Sequence, residues 1–155
     1  IMKKAISIFL AVFIVVLPAS AVDAFSVEII RPASLPKGNL FDQTVLWMAE
    51  NFRSSKEVIE LKDRELGTII GNGAIDMNIG LSFMPTNVPV TCKLRNDVKD
   101  NKYRMTFSNV KMVFDGNAKP IEDTNRASNE PKVRERFELM ANSLDAYLKM
   151  PRKDF

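Results

Sequence analysis

The chain of 155 residues contains no histidine and one cysteine, Cys92. Without imidazole there is no Ser-His or Cys-His nucleophilic pair and no usual zinc or copper imidazole site. The commonest general base is missing too. A lone cysteine closes no internal disulfide, so the fold must rest on its hydrophobic core. Cys92 lies in the alternating run Val88, Val90, Cys92, Leu94, where it reads as a small core hydrophobe. Glycine is scarce, six residues in all, and Gly67, Gly71 and Gly73 form neither GxGxxG nor a P-loop. Clustered charge is also missing. The 22 Lys and Arg stand against 19 Asp and Glu, a net of +3, and their even mixing is not the footprint of a nucleic-acid binder.

What the sequence does have is an address. Lys3 and Lys4 lead into an apolar run from Ala5 to Leu17 that Pro18 ends. The small-residue patterns Ala19-Ser20-Ala21 and Val22-Asp23-Ala24 follow. A positive head, a short apolar stretch and a small-x-small exit predict a signal peptide over residues 1–24, cut after Ala21 or Ala24. An uncleaved anchor is the alternative, but the run falls short of the roughly 20 apolar residues a span requires. The only cysteine is far from Ala24, which argues against a lipid anchor. The expected product is an exported protein, periplasmic or secreted, with no stable membrane insertion after cleavage. It comprises one domain over residues 25–150 and a flexible tail, 151–155. Removing Lys3, Lys4 and Asp23 from a net of +3 leaves +3 − (2 − 1) = +2.

Within that domain, Phe25–Ile30 reads as a strand and Arg31–Gly38 as a Pro/Gly loop. A first helix is predicted from an N-cap at Asn39 to Arg53, with Phe41, Val45, Met48 and Phe52 on its apolar stripe and Trp47 at the core edge. Val58–Lys62 and Thr68–Ile75 read as strands joined by a polar turn. Gly71 and Gly73 lie on one face, marking a bulge, a bend or a close approach. Asp100-Asn101 suits a two-residue hairpin turn. It pairs Lys99 with Lys102, Val98 with Tyr103, Asn96 with Met105 and Leu94 with Phe107. Apolar parity then breaks, and a β-bulge at Ser108-Asn109 restores it, setting Cys92, Val90 and Val88 against Val110, Met112 and Phe114. The opposite face carries Lys93, Arg95, Asp97, Arg104 and Thr106, with Asp97 and Arg104 as cross-strand neighbours. Asp115–Glu130 reads as a mobile loop, and a second amphipathic helix begins with Pro131 in its first turn. Its stripe is Val133, Phe137, Met140, Leu144, Tyr147 and Leu148. The order β-α-β-β-β-β-α lacks βαβ alternation. It predicts an α+β fold, a curved antiparallel sheet of about five strands with two helices on one face.

Little chemistry stands out. Glu57, Glu60, Asp63 and Glu65 alternate with basic residues as a solvated edge does. Met77, Met84 and Met150 lack tight thioether-ligand spacing. No catalytic residue, cofactor or metal site is expected. The loop Asp76–Pro89 is unusually apolar and is either a flap over the sheet or a partner patch. The candidate partner-binding residues are therefore Ile79, Leu81, Phe83 and Met84 on that loop, with Lys93, Arg95 and Arg104 on the open sheet face.

Several segments resemble a bacterial envelope family of unknown function. They are Trp47–Phe52, Ser54–Ile59, Gly67–Gly73 and Val98–Arg104. The family is described as having a TATA-box-binding-protein-like (TBP-like) fold. The resemblance spans roughly Leu40–Phe114. It implies a curved antiparallel sheet backed by helices, assigns no activity and carries over no functional residue. Fold does not fix function, so the name implies no DNA binding. The expectation is a non-catalytic binding or accessory domain facing an envelope protein or ligand. A carboxylate-based envelope hydrolase and a carrier of small apolar ligands are the alternatives.

Overall fold

The computed structural model describes residues 23–52, 59–80 and 83–150. Strand β1 (Val27–Pro32) leads through a proline loop into α1 (Lys37–Asn51). Strands β2 (Ile59–Asp63), β3 (Thr68–Asn78), β4 (Asn87–Lys99) and β5 (Lys102–Phe114) follow as a meander. A short β6 (Asn117–Pro120) and a 3-10 turn (Ile121–Asp123) precede α2 (Arg126–Leu148). The sheet is antiparallel throughout, in the order β1-β5-β4-β3-β2, with β6 also on β5. Strands β1 and β6 share one edge of β5, covering Lys102–Phe107 and Lys111–Phe114 respectively. This is the expected α+β architecture with a sixth strand.

The β4–β5 hairpin has the register that its turn and apolar parity predict, from Lys99↔Lys102 to Leu94↔Phe107. Lys93 then pairs with Ser108 but Thr91 with Lys111, and Asn109 absorbs the extra residue at φ 49°. The bulge keeps Val90, Cys92, Val110 and Met112 on the buried face. Asn101 turns the chain in the left-handed region at φ 60°. Its backbone is held by the proline loop: Ala33 N–H donates to Asn101 O (2.9 Å), and Asn101 N–H to Leu35 O (3.0 Å). A Cβ at Gly73 would stand 2.9 Å from Phe52 Cε1, so the close-approach explanation of that glycine holds. The bulge on this side of the sheet lies on β2, between Ile59 and Leu61.

Both helices lie on one face. They bury Val27, Ile69, Leu94, Val98, Tyr103, Met105 and Phe107 beneath Leu40, Trp47, Met48, Phe137 and Leu144. Phe107 and Phe137 stack at 4.0 Å, and Trp47 meets Phe52 edge-on at 5.8 Å. Among the described residues no helix is long and apolar enough to cross a membrane.

Five local expectations need correction. Helix α1 starts at Lys37, not after an Asn39 cap, and Pro36 at the N-cap offers no side-chain bond. The missing acceptor comes from the hairpin turn, where Asp100 Oδ1 takes the Lys37 N–H at 2.8 Å. Trp47 is 1% exposed, inside the core rather than at its edge, because the buried stripe runs Leu40-Thr44-Trp47 and leaves Ala49 outside. Thr44 tolerates burial by donating its hydroxyl to Leu40 O at 2.7 Å. Strand β3 reaches Asn78 and pairs it with Asn87, so the apolar loop is shorter than Asp76–Pro89. Residues 115–130 are ordered: Asp115 (φ 49°) and Gly116 (φ 78°) form a tight turn into β6, and Ile121 is fully buried. Helix α2 begins at Arg126, capped by Asn125, so Pro131 is its sixth residue. Proline there deprives the Ala127 carbonyl of its helical donor, at a place where both residues are exposed and the carbonyl is open to solvent.

Candidate binding face

Among the described residues, no helix covers the other sheet face. Across it, Thr68, Ile70 and Asn72 of β3 oppose Asp97, Arg95 and Lys93 of β4. Asp97, Arg95 and Lys93 in turn oppose Arg104, Thr106 and Ser108 of β5, and Arg104 and Thr106 oppose Ile30 and Glu28 of β1. The structure thus brings Lys93, Arg95, Arg104 and Thr106 together as expected, and places Asp97 beside Arg104.

Each of the three expected cations already has an anion. Asp97 is the hub. It accepts from Thr68 Oγ1 (2.8 Å), Arg95 Nε (3.0 Å) and Arg104 Nη2 (2.9 Å), and Arg95 Nη2 lies 2.9 Å away. Burial pushes its carboxyl up, but the bonds from Arg95, Thr68 and Arg104 outweigh that and hold it at about 2. Arg104 also faces Glu28 at 3.6 Å. Lys93 pairs with Glu60 at 3.0 Å, and Glu60 accepts from Asn72 Nδ2 at 2.6 Å. The hydrogen bonds from Asn72 and Lys93 lower the Glu60 carboxyl below its ordinary range. Sequence reasoning missed Glu28 and Glu60 because they arrive from β1 and β2. By plain alternation Glu60 would face the helices, and the register shift between Ile59 and Leu61 lets it reach the open face.

At the hairpin end the face dips into a shallow cavity of about 170 Å³, lined by Ile30, Asp97, Lys99, Lys102, Tyr103 and Arg104. The Tyr103 hydroxyl points to the opposite side, donating to Asp145 Oδ1 at 2.6 Å. Burial, and then that bond, raise its pKa.

The apolar loop lies elsewhere, at the opposite end of β4, and it divides in two. Ile79 packs against the core, donates its N–H to Thr86 O (2.9 Å) and accepts from Lys132 Nζ of α2 (3.3 Å). Phe83 and Met84 are 83% and 67% exposed. Leu81 lies outside the described residues. Ile79 is therefore a flap residue, while Phe83 and Met84 form a tip. Met77 is buried in the core, away from any thioether array with the exposed Met84 and Met150. Among the described residues no group of three or more His, Cys, Asp or Glu is arranged to hold a metal ion.

The same architecture occurs in solved proteins. A crystal structure of a DUF4468 family protein from Bacteroides ovatus superposes with a TM-score of 0.68 at 14% identity, covering 87% of this chain and 92% of that one. A TBP-like protein from Parabacteroides distasonis gives 0.66 at 13% identity, covering 86% and 98%. At such identities the likeness shows the fold alone. A comparison with curated proteins found no match. The family model described as a domain of unknown function (DUF4468) with TBP-like fold matches residues 27–112. That is more than half of the chain, so the chain belongs to the DUF4468 family.

Proposed function

We propose that this is a non-catalytic binding or accessory domain of the cell envelope, exported under the direction of residues 1–24 and engaging its partner through the bare sheet face. The observation that carries this reading is the one-sided architecture. Both helices cover one face, and the other presents a pre-ordered grid of side chains fixed by ion pairs. A surface whose rotamers are already set loses less entropy on binding. The chemistry of the grid speaks against the hydrolase alternative. A general acid at neutral pH needs a raised carboxyl pKa, whereas Asp97 and Glu60 are both lowered. A carrier needs an enclosed apolar cavity. The centre of the space between sheet and helices is instead filled by Trp47, Met105, Phe107, Phe137 and Leu144, none more than 1% exposed, and the cavity left beside Trp47, Phe52, Ile75 and Met140 holds about 250 Å³, below the roughly 300 Å³ at which ligand pockets begin.

The test is in-cell photocrosslinking. Photoreactive residues replace Thr91 and Thr106 on the open face, and Leu46 and Leu139 on the exposed sides of the helices. Adducts confined to the Thr91 and Thr106 positions are expected. Adducts only from the helix positions, or from none, overturn the reading. N-terminal sequencing of the accumulated protein checks export, with Val22 or Phe25 as the expected first residue and an intact Met2 as the contrary result.

A further inference from the structure

Three cations on the open face have no anion at ion-pair distance among the described residues: Lys111, alone opposite Thr91 at the far end, and Lys99 and Lys102, together at the hairpin end. Lys99 and Lys102 face each other as the closing pair of the hairpin. Among the described residues neither has a carboxylate at ion-pair distance. Like charges directly opposite on a sheet are destabilising, and no nearby acid forms an ion pair with them. Asp97 is committed to Thr68, Arg95 and Arg104. Asp100, next in sequence to Lys99, is turned onto the first N–H of α1.

We propose that the hairpin end of the open face captures an acidic segment of a protein partner, with a carboxylate seated between Lys99 and Lys102. This rests on the open face being the binding surface. Two observations select an acidic protein segment over a long polyanion or a free anion. First, the excess charge is local. Between the two ends, Lys93, Arg95 and Arg104 are balanced by Glu60, Asp97 and Glu28, 3 − 3 = 0, and this neutral stretch separates the lone Lys111 from the lysine pair, so a polyanion running along the face meets no continuous positive track. Second, the lysines do not stand alone. Ile30, 61% exposed, is the register partner of Arg104 and lines the same dip. A free anion has no use for that aliphatic wall, whereas a peptide can lay an apolar side chain on it. The dip of about 170 Å³ has the size of one side chain.

The experiment titrates the isotope-labelled protein, as it accumulates in the cell, with a blocked peptide of glutamates flanking one isoleucine. Backbone amide shifts are followed by NMR. The expected shifts centre on Ile30, Lys99, Lys102 and Arg104. Replacing Lys99→Gln together with Lys102→Gln weakens binding by about tenfold or more, while Lys93→Gln changes it by less than about twofold. The native amide spectrum of each variant verifies folding. Parallel arms use the glutamine version of the peptide, inorganic phosphate and dextran sulfate. Equal binding of the neutral peptide, saturation by phosphate or dextran sulfate at lower concentration, or shifts scattered over all lysines overturns the proposal. In the cell, crosslinks at Thr91 and Thr106 that persist undiminished in the Lys99→Gln/Lys102→Gln variant overturn this proposal and leave the open-face reading intact. Loss of those crosslinks in the unmodified protein overturns both.

Discussion

Replacing Asp97 by asparagine removes the central charge of the grid while keeping its shape and an oxygen for the Thr68 hydroxyl. Folding takes the Asp97 carboxyl from an ordinary 3.8 to about 2. At 1.36 kcal/mol per pKa unit this corresponds to at most about 2.5 kcal/mol of stability at neutral pH. The side chains of Arg95 and Arg104 are 49% and 45% exposed, so solvent screens both partners and about 1–1.5 kcal/mol is the realistic expectation. The sign follows from the direction of the shift. A carboxyl whose folded pKa is depressed stabilises above its unfolded value and loses that contribution as pH falls from about 4 to about 2.

The assay is urea unfolding of wild type and Asp97→Asn at a series of pH values from 7 down to 2. Other carboxylates titrate in both proteins, so the difference between the two curves isolates Asp97. The expected difference is about 1–1.5 kcal/mol at pH 7, constant to about pH 4.5 and shrinking towards zero at pH 2, with an unchanged m-value. A difference that stays constant through pH 2 would mean that geometry rather than charge is lost. No difference at pH 7 would mean that the grid is electrostatically idle. Either outcome refutes the reasoning. High salt should also reduce the difference, because exposed arginines are screened.

Three further outcomes test other parts of the structure. Gly67 and Gly116 both have positive φ, 76° and 78°, but a Cβ at Gly67 would stand 2.4 Å from the Val98 carbonyl oxygen while Gly116 has nothing within 4 Å. Gly116→Ala should cost about 1 kcal/mol and Gly67→Ala at least twice that, and equal losses in urea midpoints would contradict the space argument. Burial pushes the Cys92 thiol up to about 12. Iodoacetamide labelling of the native protein at pH 8 should therefore be slow and follow global unfolding, and labelling at the rate of a free thiol would show that the site opens locally. Phe83→Ser and Met84→Ser should change stability by less than about 0.5 kcal/mol, since both side chains are exposed, and a larger loss would make the loop tip part of the core.

The β4–β5 hairpin was legible because two constraints met there: a two-residue turn and apolar alternation along two strands of 13 residues, whose single break on β5 marks the bulge. Where only one constraint operates, the sequence says less. Asp115-Gly116 carries a turn signal, yet Asn117–Pro120 has no apolar alternation and every residue is exposed. That strand is held by backbone pairing with Lys111–Phe114 alone. The start of α1 was illegible for another reason: its acceptor, Asp100, lies 63 residues away, and no local capping signal reports it. The candidate face divides in the same way. Alternation along β4 and β5 was enough to place Lys93, Arg95, Arg104 and Thr106. It could not supply the carboxylates, because Glu28 and Glu60 depend on long-range register and, for Glu60, on a bulge.

Those carboxylates change what the face can do. Three cations met in the sequence suggest a positive surface. Once Glu28, Glu60 and Asp97 are placed, the centre of that surface is neutral, and unpaired positive charge is left as a single Lys111 at one end and as the Lys99–Lys102 pair at the hairpin end. For the pair, the turn that caps α1 is responsible. Asp100 follows Lys99 directly and keeps its charge, but its carboxylate is turned onto the Lys37 N–H and forms no ion pair with either lysine. Replacing Asp100 with alanine should therefore separate fold from face. The helix loses its N-terminal acceptor, worth about 1 kcal/mol, while the field at Lys99 and Lys102 becomes more positive. If the hairpin end binds acidic segments, this variant should be less stable and yet bind the glutamate peptide at least as tightly as wild type. A variant that lost both together would show that the cap, and not the lysine pair, governs recognition.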